Sequence, residues 1–166
     1  MDLIDAAFED AGNPLDVVEH LAEMSEWSLE RAGEDEITIA LSATWCEVAL
    51  SLTWMEDLEV LHVSCALDLK VPKKRQGAVT QLLSMVNARM WLGHFDLWDQ
   101  DGTLVYRSSL PLPEGASFTT SQSVMLVESA VEAIEQFYQA FQFVVWAGQS
   151  PAKALEHALF ETAGSA

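Results

Sequence analysis

A chain of 166 residues, half of them hydrophobic and a fifth charged, has the composition of a folded protein and the length of one domain able to bury a real core. Twenty-six acidic residues against eight basic ones give a formal charge of -18, which repels nucleic-acid phosphates and anionic lipid headgroups, so neither is an expected partner. Met1 to Gly12 carries Asp2, Asp5, Glu9 and Asp10 where an export signal needs bases and then an apolar run. No stretch approaches the roughly 18 consecutive apolar residues of a membrane span, and the two cysteines, Cys46 and Cys65, fall on expected buried strand positions; a cytoplasmic protein is expected.

Leu3, Ile4, Ala7 and Phe8 have the spacing of one docking turn and are left unassigned. Asn13-Pro14-Leu15-Asp16 predicts a helix start, with an N-cap, a proline at the first helical position and an acid in the first turn; Val18, Leu21 and Ala22 then face inward to about Met24. After a short strand at Trp27 to Arg31 and a turn through Gly33, the apolar period changes from 3.6 to 2. Ile37, Ile39 and Leu41 alternate with polar residues, then Cys46, Val48, Leu50, Leu52 and Trp54, then Leu61, Val63, Cys65 and Leu67. Three such runs with short connections predict an antiparallel meander.

Pro72 opens a second helix with a stripe of Val79, Leu82, Leu83, Val86 and Met90, and Gly93 stands where a C-cap is wanted. Phe95 and Leu97, the turn Asp99-Gln100-Asp101-Gly102, and Leu104 to Arg107 predict a hairpin, because Asp-Gly supplies the positive φ of a tight turn. Leu110 to Gly115 reads as an extended linker. Val124, Val127, Val131, Ile134, Tyr138, Phe141 and Val145 then mark one long helix, capped near Ser121 and ended by Gly148; Ser150-Pro151 starts a last short helix with Ala152, Leu155 and Leu159 inward. The predicted fold is α+β: an antiparallel sheet of five or six strands, meander plus hairpin, with helices packed on one face in the order α-β-β-β-α-β-β-α-α. One domain spans 1–166, with a core at 14–148 and a helical extension at 150–166.

The motifs that carry chemistry are weak. Ser150-Pro151-Ala152-Lys153 matches the S-x-x-K of serine acyl-enzymes, but the accompanying S-D-N and K-T-G are missing, and Ser150 is better read as an N-cap. Asp96, Asp99 and Asp101 before Gly102 suggest a calcium loop until Gly102 is aligned with its invariant glycine, which leaves Leu97 and Ser108 at the two end ligand positions. His20, His62, His94 and His157 are scattered without metal-ligand spacing, and no phosphate-binding glycine loop or hydrolase elbow occurs. No catalytic residue, metal or cofactor is expected.

Charge and aromaticity are more informative. Lys70, Lys73, Lys74 and Arg75 gather half of all the basic residues at the start of the second helix, where they oppose the helix dipole. A solvated cluster is the plain reading. The functional one is an acidic surface facing it: Glu34-Asp35-Glu36, a second copy of the chain, or a partner. Of six tryptophans, Trp27, Trp45, Trp91 and Trp98 do not all fall on inward registers, which is an interface signature.

Val86-Asn87-Ala88-Arg89-Met90-Trp91-Leu92-Gly93-His94-Phe95-Asp96-Leu97, continuing through Asp99-Gln100-Asp101-Gly102 to Val105-Tyr106-Arg107, resembles the YbjN-like bacterial family, as does the order of elements from about Pro14 to Gly148. The resemblance implies a single YbjN-like domain with a fold similar to class I type III secretion chaperones, small acidic dimers that hold a partner chain in extended form. It also implies a part in bacterial sensory transduction or stress regulation, without enzyme activity.

The leading expectation is therefore a non-enzymatic protein-binding domain, a homodimer, with Lys70, Lys73, Lys74, Arg75, Trp91 and Trp98 as candidate partner-binding residues and Ala130, Phe137 and Val144 broadening the long helix for dimer contact. The alternative is a small-molecule or anion sensor using the basic cluster; a third is a hydrolase at Ser150.

Overall fold

The structure, a computed structural model, describes residues 12–164; the Leu3 to Phe8 turn lies outside them. Among these residues the elements are α1 (Pro14–Met24), β1 (Ser28–Ala32), β2 (Glu36–Ser42), β3 (Glu47–Met55), β4 (Val60–Lys70), α2 (Lys73–Asn87), β5 (His94–Trp98), β6 (Thr103–Pro111), α3 (Thr120–Val145) and α4 (Pro151–Gly164). The strands form one antiparallel sheet in the order β1-β2-β3-β4-β6-β5, so the fold is the expected α+β arrangement with six strands. Two compact units are recognisable: residues 12–42, 47–65 and 108–129 make one, and 43–46, 66–107 and 130–164 make the other.

In the first unit, Asn13 Oδ1 accepts the Leu15 amide at 2.9 Å and Pro14 sits at N1, which fixes the start of α1 as expected. Its apolar face, Leu15, Val18, Leu21 and Ala22, is buried, and the helix packs on β1, β2 and β3. Cross-strand register places Ile37 opposite Leu52, Ile39 opposite Leu50 and Leu52 opposite Val63. Those five side chains therefore share one face, and all are fully buried, each contributing about 2 kcal/mol by leaving water. β1 is shifted one residue along from the expected Trp27 to Arg31. Its Arg31 reaches α1, where Nη1 pairs with Asp16 at 2.9 Å and with Glu19; the Asp16 contact raises the guanidinium's already high pKa.

The remaining pieces of this unit differ from expectation at their edges. β6 runs on through Pro111, beyond the expected start of a linker, and just past its end Leu112 N–H donates to the Glu59 carbonyl at 2.8 Å. The long helix starts earlier than Ser121. Thr119 and Gln122 form a capping box, with Gln122 N–H donating to Thr119 Oγ1 at 3.1 Å and Thr119 N–H to Gln122 Oε1 at 2.9 Å, so α3 begins at Thr120.

The second unit is organised around Phe95. Its ring stands 5.6 Å from Tyr106, 6.2 Å from Phe137 and 5.4 Å from Phe141 by centroid, two of the contacts edge-to-face. All four rings are buried, and each pair adds about 1 kcal/mol beyond the area it covers. The Phe95 backbone is held as firmly. Its N–H donates to Asn87 Oδ1 at 2.9 Å and its C=O accepts from Asn87 Nδ2 at 3.0 Å, so one side chain occupies the outer edge of β5 as another strand would.

This clamp corrects the expected second helix. α2 ends at Asn87, not at Met90, and Gly93 caps no helix. Gly93 instead leads into β5 with φ 69°, and a Cβ there would collide with Tyr106 Oη and lie 2.9 Å from the Arg107 carbonyl oxygen.

The hairpin turn is as expected, with Gly102 at φ 73° and its carbonyl accepting from Val71 N–H at 2.9 Å. Thr103 N–H donates to Asp101 Oδ1 at 3.0 Å; that bond and the nearby Lys70 ammonium hold the Asp101 carboxyl below the usual aspartate value. Cys65 is buried on β4, but Cys46 lies before β3 in a turn closed by Ala43 N–H to Cys46 O at 3.0 Å.

Helix faces bring two further corrections. α4 packs on α2 and buries Pro151, Ala154, Leu155 and Ala158, whereas Ala152 is exposed and Leu159 only half-buried; the small alanines allow close approach. Ala130, Phe137 and Val144 are buried within the chain, so they offer no surface to a second copy.

Asn87→Ala is expected to destabilise the protein by about 2 kcal/mol, since it leaves the Phe95 N–H and C=O unpaired in a partly buried setting; urea denaturation measures it, and Asn87→Asp, which keeps only the acceptor, should fall between. A second expectation concerns pH. Because Asp101 has a depressed folded pKa, its contribution is present above the unfolded pKa and fades as pH falls through the folded value, so wild type and Asp101→Asn should differ in urea midpoint at neutral pH and converge in acid.

Candidate functional site

Four of the six sequence-predicted residues lie at the start of α2, where β4 ends. Lys70 Nζ donates to Thr103 Oγ1 at 2.6 Å and stands 3.7 Å from Asp101 Oδ2, so this ammonium is partly committed to the hairpin. Val71 N–H reaches the Gly102 carbonyl and Gln76 Nε2 donates to the Asp99 carbonyl at 3.3 Å. Three contacts therefore fix the first turn of α2 against the β5–β6 turn.

Arg75 turns inward. A Cβ on Gly148 would be 2.8 Å from Arg75 Nη2, which places the guanidinium over the turn between α3 and α4, and Arg75 Nε is buried without a hydrogen-bond partner. Lys73 and Lys74 point to solvent. None of Lys73, Lys74 and Arg75 forms an ion pair with a described residue of its own unit. Pro72 caps α2 without a side-chain hydrogen bond and the first turn holds no acid, so the positive end of the helix is left uncompensated.

Beside this turn is an open recess of about 630 Å³ lined by Lys70, Val71, Pro72, Lys74, Asp101, Val145 and Trp146. Trp146 is 66% exposed and closes one wall. Sequence reasoning missed it: the stripe of α3 steps from Phe141 to Val145, and the residue after the last inward position falls off that face, which is the signal that was available. Trp98, 50% exposed at the end of β5, lines a neighbouring depression of about 410 Å³ with Leu97, Asp99, Gln100 and Asp101. Asp101 lines both, so the two depressions adjoin at that residue.

Trp91 is not brought to it. This side chain is 99% exposed in the loop after α2, beside the exposed Leu92, at the other end of β5. Trp27 and Trp45 are half-buried. The structure thus unites Lys70, Lys74 and Trp98 with Trp146, keeps Lys73 at the rim, uses Arg75 internally and leaves Trp91 apart.

Other chemistry finds little support in the geometry. Ser150 Oγ accepts from Lys153 N–H at 3.4 Å as the cap of α4, and His157 Nδ1 is engaged by Gln149 Oε1 at 3.1 Å. Asp96 lies 3.6 Å from Arg107, and among the described residues no three His, Cys, Asp or Glu side chains are gathered to hold a metal ion. No helix among those residues is long and apolar enough to cross a membrane.

Comparison with known proteins gives the fold and the family. The crystal structure of YbjN from E. coli, described as a candidate transcription regulator, is similar with a TM-score of 0.54 at 18% identity, covering 73% of this chain and 85% of that one, which shows a shared fold. The HopA1-SchA chaperone-effector complex gives a TM-score of 0.47 at 15% identity over 71% of this chain and 87% of that one. No curated protein matches the chain. Residues 14–143 match the family described as "YbjN: Putative bacterial sensory transduction regulator", and with more than half of its length inside that match the chain belongs to the YbjN family.

Proposed function

We propose that this chain is a non-enzymatic cytoplasmic regulator, serving bacterial sensory transduction, that works by holding a protein partner against the tryptophan-bearing surface of its second unit. The observation that carries the reading is the exposure of Trp98 and Trp146 beside Lys74, with Trp91 exposed apart from them. A tryptophan loses much apolar surface to water when left outside, and interfaces are enriched in this residue because burying it on a partner recovers that loss. Membership of a regulator family supports the same direction, and the basic residues Lys73 and Lys74 at the rim add complementarity for an acidic partner. The reading includes a homodimer and treats 1–166 as one domain, since β4, β6 and α3 each pass from one unit into the other.

The alternative use of the recess, as a seat for a small anion, is supported by Lys70 and Lys74 in its wall and opposed by Asp101 beside them.

Affinity capture from native lysate tests the leading reading: wild-type protein should retain a specific partner, and Trp91→Ser/Trp98→Ser/Trp146→Ser, with an unchanged thermal midpoint, should lose it. Retention by the triple variant would remove these tryptophans as the contact. Light scattering that shows a monomer at high micromolar concentration would remove the homodimer.

A further inference from the structure

We infer that the recess between the start of α2 and the end of α3 receives an acidic peptide segment of the partner bearing one aromatic or branched apolar side chain, its carboxylates toward Lys74 and the first turn of α2 and its apolar group against Val145 and Trp146. This rests on the protein-binding reading above and adds the chemistry of the bound segment.

Charge complementarity selects the occupant. Of the eight basic residues, Arg31 is neutralised by Asp16 and Glu19, Arg107 faces Asp96, Lys70 faces Asp101, and Arg89 and Lys153 are single cations far along the chain from the cluster. Lys73, Lys74 and Arg75 are consecutive, have no ion pair among the described residues, and occupy the positive end of a 15-residue helix that has no side-chain cap and no acid in its first turn. On a chain of net charge -18 this is a concentration of unanswered positive potential.

The shape of the recess then separates an extended segment from a small anion. Its wall is mixed: Lys70 is already bonded to Thr103, Asp101 repels a compact dianion placed centrally, and the space left beside Val145 and Trp146 is apolar. A peptide can spread its groups, with carboxylates on the Lys74 side and an apolar side chain on the Trp146 side, whereas inorganic phosphate cannot use the tryptophan at all. A nucleic acid would meet the repulsion of the whole molecule. A second copy of the chain is acidic enough to supply such a segment, but it brings its own charge of -18 with it. Val145 and Trp146 lie past the end of the family match at residue 143, so this wall belongs to a part of the chain that the family description does not reach.

The test is fluorescence anisotropy with a labelled short peptide of aspartate, glutamate and serine around one phenylalanine, measured at low and at physiological salt against three controls: the same peptide with alanine for phenylalanine, the same peptide with lysine for every acid, and inorganic phosphate as a competitor. The expected result is saturable binding of the acidic phenylalanine peptide alone. Affinity should weaken as salt rises and fall about tenfold or more in Lys74→Glu and in Trp146→Ala, and Lys74→Arg should retain it.

Equal binding of the lysine peptide, or indifference to both Lys74→Glu and Trp146→Ala in variants of unchanged thermal midpoint, overturns the proposal. So does displacement by phosphate at the same affinity, which would make the recess an anion site, and so does binding that appears only with formation of a dimer in light scattering. If the peptide fails while wild-type protein still captures a partner that the tryptophan variant loses, only the segment chemistry falls. If no partner is captured and no peptide binds, the protein-binding reading falls with it.

Discussion

Phe95 is fixed from two directions at once, and the second unit takes its form from that. The ring is held by Tyr106, Phe137 and Phe141, while both polar groups of its backbone are held by the Asn87 amide. Because Asn87 and Phe95 are bonded to each other, the residues between them must leave the helix and return within a short span. That forces the chain through the positive φ of Gly93 and turns Trp91 and Leu92 outward. The exposed tryptophan is thus a geometric consequence of the clamp. The same amide closes the outer edge of β5, where an unpaired strand would otherwise recruit other chains.

Electrostatics divide the molecule differently from packing. Arg31 is neutralised locally by Asp16 and Glu19, and Arg107 by Asp96. Among the described residues only the start of α2 gathers consecutive cations without such partners, and there the helix dipole adds to them. Such clusters govern association rate and partner choice more than stability, because exposed pairs contribute little to folding.

The family match covers α1 through most of α3, while Trp146 and α4 follow it. α4 packs on α2 through Ala154 and Ala158, and the turn before it supplies Gly148, against which Arg75 rests. The recess is therefore bordered on one side by elements common to the matched region and on the other by residues outside it.

Local patterning determined most of the architecture. Two-residue alternation specified β2, β3 and β4, because a strand exposing one face repeats its chemistry every second residue. Asn13-Pro14 specified where α1 begins and Asp-Gly specified the hairpin, because caps and tight turns are settled by neighbouring atoms. Where a partner distant in sequence competes, the sequence alone misled: α2 stopped at Asn87 since that amide satisfies Phe95, although the apolar stripe continued to Met90, and Ala130, Phe137 and Val144 proved to be core. The basic cluster was legible as composition. Its division into Arg75 packed on Gly148, Lys70 bonded to Thr103 and Lys74 left in a recess beside Trp146 was decided only by tertiary structure, because burial and pairing depend on which segments meet in space, and one-dimensional spacing carries no record of that.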